Sequence, residues 1–422
     1  MARLPSDMSS NTAAAGSPRR RAVDSSRGTN QSGVRLYNER LILSLIRRHR
    51  SLSKVEIARL TGLSVQTASG IVNQLEQDGL LLRRDPQRGR VGQPAVPFSL
   101  HPEGAFSLGL KIGRRSCDLV LIDFLGQVRE RLHHTYAYPV PTQLTAFVAD
   151  NLPGLTADLS PAEARRIAGL GIALPFELWN WESEVGAPPG ALQGWRSVDI
   201  QAEIASICPW SVSLCNDATA ACAAELFFGE GSRYRDFVYF FIGSFIGGGV
   251  VLDGNIYPGR TGNAGALGSI PVAGPGNGAI QQLIRRASIY ALENRLIAAG
   301  KDPATIWSSP DTWGDFGSHL DDWIEETARS LAQAAVAAIS VIDFEAVVID
   351  GAFPDEVRQR VLGRTAAMAA AMDRQGLSPT ELSAGTLGSD ARAIGGAALP
   401  LLAAYARDRE VLFKEAARTE RP

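Results

Sequence analysis

The sequence predicts an α/β protein, with a small winged helix-turn-helix domain ahead of a larger body of two α/β lobes. Three observations carry this. Basic charge gathers near the amino end of a chain that is acidic elsewhere. Between residues 34 and 100, a helix, a glycine-bearing turn and a second helix are followed by a strand, a turn and a strand. From Ala105 onward, β-rich runs broken by turn residues alternate with long helical stretches, and the cycle occurs twice.

At 422 residues and 45% hydrophobic content, the chain has enough apolar material for two or three packed domains. No apolar run approaches the roughly 20 residues that span a bilayer. "MARLPSDMSSNTAAAGSPRRR" has no hydrophobic stretch after its charges, so neither a membrane anchor nor an export signal is expected, and a cytoplasmic location follows. Cys117, Cys208, Cys215 and Cys222 include no CxxC pair and no His at ligand spacing, which predicts reduced thiols and no bound metal. The net charge of −2 conceals +3 over residues 1–33, +6 over residues 34–100 (11 basic, 5 acidic) and −11 over residues 101–422. A cationic front on an anionic body points to a polyanionic partner at the amino end.

Residues 1–33 carry almost no large apolar side chain, so burial cannot offset the entropy of ordering them, and a disordered basic tail is expected. In "LYNERLILSLIRRHR", Leu36, Leu41, Ile42, Leu45 and Ile46 recur at helical spacing, with Arg40, Arg47 and Arg48 on the outer face. Ser53 and Glu56 form a capping-box pattern for a short second helix, in which Val55, Ile57, Ala58 and Leu60 are apolar and Gly62 is the stop. The third helix, over "VQTASGIVNQLEQDGLL", turns Val65, Ala68, Ile71, Val72 and Leu75 inward and Gln66, Thr67, Ser69, Asn73 and Gln74 outward. Asn and Gln pair bidentately with adenine edges and Thr methyls pack on thymine methyls, so this helix suits the major groove of double-stranded DNA.

The wing, "LLLRRDPQRGRVGQPAVPFSLHP", gathers Arg83, Arg84, Arg88 and Arg90 around glycines, where they can reach phosphates or a narrow minor groove. Residues 34–100 are therefore expected to form a winged helix-turn-helix DNA-binding domain, with Ser64, Val65, Gln66, Thr67, Ser69, Asn73, Arg88 and Arg90 at the DNA. The alternative is an ordinary three-helix subdomain with a polar surface.

In residues 101–422, strands are expected in "AFSLGLKIGRRSCDLVLIDFLGQVRERLHHTY", "RRIAGLGIALP", "RDFVYFFIGSFIGGGVVLDGNIYPG" and "FEAVVIDGAFP". Helices are expected over 218–228, 279–299, 318–342, 354–374 and 391–417. The run "LCNDATAACAAELFFGEG", the run "IGSFIGGGVVLDGNIYPGRTGNAGALGSIPV" and "DFEAVVIDGAF" resemble the ROK family of sugar kinases and sugar-responsive transcriptional repressors. The likeness covers residue 105 to about residue 400, and the winged helix extends it to the repressor branch. It implies an actin-like, hexokinase-like (ribonuclease H-like) fold with sugar and ATP sites in the cleft between the lobes.

The resemblance also shows departures. The first phosphate loop of family kinases has an Asp, paired glycines and a Thr; here the run is "KIGRRS", with Lys111 in place of the carboxylate. Metal-assisted handling of ATP then lacks a ligand. Arg114 and Arg115 obstruct the backbone approach that glycine permits, or are two solvated arginines on a hairpin turn. "SFIGGGV" is either a second phosphate loop or a tight hairpin. Asn216 and Asp217 match the pair that binds sugar hydroxyls, or cap a helix. Ala266 stands where a sugar-binding Glu is expected and Ser269 where a His binds both sugar and zinc, and the cysteine-rich zinc motif is replaced by "VAGPGNGAIQQL". Asn263, Ser269 and Asn277 offer neutral hydrogen bonds, while Trp179, Trp181 and Trp195 either stack on a sugar or anchor a core.

The function expected is that of a DNA-binding transcriptional regulator, a repressor of carbohydrate uptake or metabolism genes. Its effector site is Asn216, Asp217, Asn263 and Ser269, and its effector a carbohydrate or sugar phosphate. It has no catalytic residue, cofactor, metal or membrane partner, and acts as a homodimer or homotetramer. The alternatives are an ATP-dependent hexose kinase of the ROK family and a ligand-independent regulator whose body only dimerises.

Overall fold

The computed structural model describes residues 31–86, 95–182, 186–274, 278–309, 311–314 and 316–407. Helix α1 (Gln31–His49) begins three residues inside the stretch expected to be tail. Strand β1 (Leu52–Ser53) leads into helix α2 (Lys54–Thr61), where the capping box forms as its residues predict: Ser53 N donates to Glu56 Oε2 at 2.8 Å and Glu56 N to Ser53 Oγ at 3.4 Å. Gly62 ends α2 with φ of 72°, a left-handed conformation that suits glycine. Helix α3 (Val65–Gln77) starts at Ser64, whose Oγ accepts from Thr67 N at 3.1 Å. Strands β2 (Leu81–Arg83) and β3 (Pro97–Leu100) complete an antiparallel sheet in the order β1-β3-β2.

Two expectations of burial fail here. Val65, expected to face inward, is exposed, as are Val55 and Leu60, because each short helix buries a single stripe: Ile57 and Ala58 on α2, and Ala68, Ile71, Val72 and Leu75 on α3. Arg47, expected to face outward, is instead turned into the body.

The body repeats one topology. Its first sheet runs β6-β5-β4-β7-β8, from β4 (Phe106–Ile112), β5 (Ser116–Asp123), β6 (Val128–Thr135), β7 (Ile167–Leu174) and β8 (Val212–Asn216). Helices α4 (Pro141–Leu155) and α5 (Ile200–Ile207) accompany it. After α6 (Asp217–Phe228), the second sheet runs β11-β10-β9-β14-β15, from β9 (Phe237–Ile242), β10 (Ile246–Leu252), β11 (Asn255–Ile256), β14 (Ala346–Gly351) and β15 (Glu381–Ala384). In each sheet three antiparallel strands are followed by two parallel ones.

The helix expected over 279–299 is broken. A ribbon of β12 (Pro271–Ala273) and β13 (Ile280–Gln282) and a helical turn at Leu283–Arg286 precede α7 (Ile289–Ala298). Ser288 makes the break, since its hydroxyl donates to Ile284 O and accepts from Ile246 N. Helices α8 (Ser318–Val341), α9 (Asp355–Ala370) and α10 (Ala391–Tyr405) lie close to their expected ranges, although α10 stops well short of residue 417.

Close crossings of α6 and α10 tie the lobes. A methyl on Gly395 would lie 2.0 Å from Ala220 O, and one on Gly171 of β7 1.9 Å from Gly396 O. Such contacts leave no room for a side chain. The glycines of "SFIGGGV" belong to the same design. Gly248 and Gly249 lie within β10, where added methyls would meet Tyr239 O at 2.1 Å and the Cys222 side chain of α6 at 2.6 Å. Close packing therefore accounts for this run without a phosphate.

Candidate functional site

On the winged helix, Ser64, Val65, Gln66, Thr67 and Asn73 are exposed and Ser69 is half-buried. Gln66, Gly70 and Asn73 share one face of α3 at the i, i+4, i+7 spacing. The Asn73 carbonyl accepts from Lys54 Nζ at 2.5 Å, so α2 steadies this residue. Lys54 was not singled out by sequence reasoning. Of the wing arginines, Arg83 pairs with Glu76 at 3.1 Å and Arg84 Nε donates to Ser99 Oγ at 2.7 Å. Arg88 and Arg90 lie outside the described residues.

A cleft of about 1340 Å³ opens between the two sheets, and Asn216, Asp217, Asn263 and Ser269 all border it. Asn277 lies outside the described residues. Asn216 caps α6, its Oδ1 accepting from Ala218 N at 3.0 Å and Thr219 N at 3.4 Å. Asp217, on the first turn, pairs with Arg392 on the first turn of α10, with Oδ2 and Nη1 3.3 Å apart. Asn263 and Ser269 are exposed across the cleft.

In the β4–β5 hairpin, "KIGRRS" divides between its two readings: the solvated one fails for Arg114 and holds for Arg115. Lys111 is buried, and its Nζ donates to Asp118 Oδ2 at 3.0 Å and Ser116 Oγ at 3.3 Å. Asp118 is the direct cross-strand partner of Lys111, and its other oxygen pairs with His133 Nδ1 at 2.7 Å. Burial, and then the charge of Arg392, push the Lys111 ammonium down against the pull of Asp118. Burial alone raises Asp118, but the Lys111 charge and the His133 hydrogen bond outweigh it and hold the carboxyl below its ordinary value. Arg114 is not solvated. It is buried, with its guanidinium 4.5 Å from the Phe245 ring centre, 5.1 Å from that of Tyr290 and 5.9 Å from that of Trp181, joining both lobes across the cleft. Arg115 is exposed, as the solvated reading expects, and reaches Ala137 O at 3.4 Å.

Of the three tryptophans, Trp181 lines the cleft, edge-on to Phe245 at 4.8 Å. Trp195 is core, its Nε1 donating to Pro139 O at 2.9 Å, and Trp179 lies under Arg196. Among the described residues, no cluster of three His, Cys, Asp or Glu side chains suits a metal ion. No described helix is long and apolar enough to cross a membrane.

Two fully buried carboxylates of the body were missed by sequence reasoning. Glu225 of α6 accepts from Gly231 N at 3.1 Å and Thr386 N at 2.9 Å. Asp350 accepts from Tyr239 Oη, Gly351 N and Gly388 N. A lone acid within "AACAAELFF" was the available signal for Glu225.

Residues 107–290 match the ROK family and residues 37–90 the MarR family. The uncharacterized protein y4fQ of Sinorhizobium fredii is 26% identical over 379 residues, covering 87% of this chain and 91% of that protein. A xylose repressor of Bacillus spizizenii is 24% identical over 242 residues, covering 57% of this chain and 62% of that protein. The solved structure of a ROK family transcriptional regulator, a homolog of the E. coli MLC protein, superposes with a TM-score of 0.61 at 20% identity, over 88% of this chain and 97% of that chain. With the winged helix and the doubled sheet topology, these likenesses identify a DNA-binding transcriptional regulator in which a MarR-type winged helix precedes a ROK family domain.

Proposed function

We propose that the protein is a cytoplasmic repressor of carbohydrate uptake or metabolism genes. Ser64, Val65, Gln66, Thr67, Ser69 and Asn73 meet the major groove, with Arg88 and Arg90 on adjoining phosphates. Asn216, Asp217, Asn263 and Ser269 take a carbohydrate or sugar phosphate in the cleft, and a homodimer or homotetramer sets the spacing of two recognition helices. The xylose repressor among its relatives supports a sugar as the effector class.

The observation that carries this reading is the ion pairing within the cleft. Asp118 is held by Lys111 and Asp217 by Arg392, so the carboxylates on the floor have internal cations as partners. Phosphoryl transfer needs carboxylates that hold the metal and accept the substrate proton. Binding needs only hydrogen bonds and a shaped cavity. A ligand that prefers one arrangement of the lobes then biases DNA affinity by its differential affinity for the two states.

Selection of genomic fragments on the full-length protein tests the reading, repeated in the presence of single monosaccharides and their phosphates. Enrichment of one inverted-repeat motif, lost or gained with one sugar, is the expected result. Retention of all fragments alike, insensitive to every sugar, overturns it.

A further inference from the structure

The last turn of α1 seats on the far end of the helix whose first turn borders the cleft. Arg47 Nη1 donates to Phe124 O at 2.9 Å, and its guanidinium carbon lies 3.8 Å from the Phe227 ring centre, 4.8 Å from that of Phe124 and 5.5 Å from that of Phe228. Phe227 and Phe228 are the last two residues of α6. Arg48 Nη2 donates to Arg233 O at 2.8 Å, in the turn that follows α6, and Arg50 approaches Glu230 at 3.8 Å. Cations near a helix carboxyl end meet its partial negative charge, so the attachment has an electrostatic as well as an apolar component. Burial pushes the Arg47 guanidinium down, to about 9, with Asp123 opposing.

The second lobe-crossing helix makes the same connection. The first turn of α10 carries Arg392 onto Asp217, and its far end places Tyr405 edge-on to Phe124 at 4.9 Å. Arg40 of α1 reaches Ala406 O just beyond it at 3.5 Å. Ala393, Ala397 and Leu401 of α10 share one apolar core with Ile42, Ile46, Ile57 and Ala68 of the winged helix. Since α6 and α10 touch backbone to side-chain position at Gly395 and Ala220, neither slides without the other. At 1.5 Å per residue, the 12 residues of α6 span about 18 Å from Asp217 to the Arg47 seat.

We propose that Arg47 is the positioning residue through which the cleft sets the placement of the recognition helix. A ligand that engages Asp217 or Arg392 displaces α6 and α10 as one body, and the displacement reaches α1 at the seat formed by Phe124, Phe227 and Phe228. The identity of the trigger rests on the effector reading of the cleft. The mechanical connection does not, because it is present in the chain without ligand.

Hydrogen exchange measured on the full-length protein tests the connection. At a distance of about 18 Å, unconnected sites behave independently. Asp217→Asn is expected to raise exchange about fivefold in peptides covering residues 41–49 and 124–128, as well as beside the cleft, while α9 stays unchanged. Arg47→Met is expected to raise exchange at residues 216–222, and Arg47→Lys, which keeps the charge but loses the planar fork, to do so less. Changes confined to the neighbourhood of each substitution, or a uniform rise that includes α9, overturn the proposal. If Arg47→Met does not fold, the Asp217→Asn result alone decides. A parallel thermal-shift panel of xylose, glucose and N-acetylglucosamine separates the two readings: no shift with any of them counts against the effector and leaves the exchange result standing.

Discussion

Asp217 and Arg392 meet at the head of the cleft, Oδ2 to Nη1 3.3 Å apart, each from the first turn of a helix that runs toward the winged helix. Both side chains are largely buried, so each is the other's main compensation for lost water. The Lys111–Asp118 pair repeats the arrangement on the neighbouring hairpin. The cleft thus stays polar while these two floor carboxylates are neutralised from within.

The pairing predicts silence as a kinase. ADP release from ATP with a panel of hexoses should stay at background, and Asp217→Asn should leave it there. The same substitution leaves Arg392 buried beside a neutral amide and should weaken the α6–α10 crossing locally by about 1 kcal/mol, the fivefold rise in exchange expected there. Turnover that Asp217→Asn abolishes would show that the acid still acts as a base.

Glu225 predicts a pH effect of definite sign. Burial raises its carboxyl from 4.5 to about 6, with Asp350 adding to the rise and the Thr386 and Gly231 amides restraining it. A raised acid binds more protons folded than unfolded between these values, so its charge costs stability above about pH 6 and the cost disappears below about 4.5. The rise from 4.5 to about 6 corresponds to about 2 kcal/mol. Denaturant titrations of the protein and of Glu225→Gln should therefore differ by about 1.5 kcal/mol more at pH 4.5 than at pH 7 in favour of the natural residue, most of the full amount. A gap that stays constant with pH would remove Glu225 as the cause.

Local pattern explains which of these features were legible. The stripe of Ala68, Ile71, Val72 and Leu75, and the capping pair Ser53 and Glu56, are decided within one or two helical turns, and the structure has them as read. Asp118 was readable in principle, since a tight hairpin at Gly113–Arg115 puts it opposite Lys111. Arg47 was not. Nothing within its own helix marks a cation for burial, because the rings that cover it come from positions 77 to 181 residues further on. The three glycines of β10 looked like a phosphate loop because close backbone approach is the shared requirement of anion cradles and of tight helix-on-sheet packing.

The wing makes a salt prediction. Arg88→Ala with Arg90→Ala should weaken binding to all duplexes alike and reduce the slope of log affinity against log salt by about 1 for each phosphate no longer neutralised. An unchanged slope would place the wing away from the DNA.

Gly70 sits on the outward face of α3 between Gln66 and Asn73, and a methyl group there would meet no atom within 4 Å. Its backbone is ordinary right-handed helix, so neither conformation nor packing calls for glycine. In a helix interior glycine costs about 1 kcal/mol relative to alanine. A cost without a structural return is expected where function sets the residue, and on the proposed recognition helix a bare backbone would let α3 approach base edges more closely. Gly70→Ala should therefore move two measurements in opposite directions. Thermal unfolding of the full-length protein should shift upward by about 1 °C, while affinity for the selected DNA motif falls roughly tenfold, about 1.4 kcal/mol. Gln66→Ala should instead change which sequences are preferred more than overall affinity, since it removes a base-reading group without adding bulk. A more stable Gly70→Ala protein that binds its motif as well as before would mean that the duplex never comes close to this face of the helix.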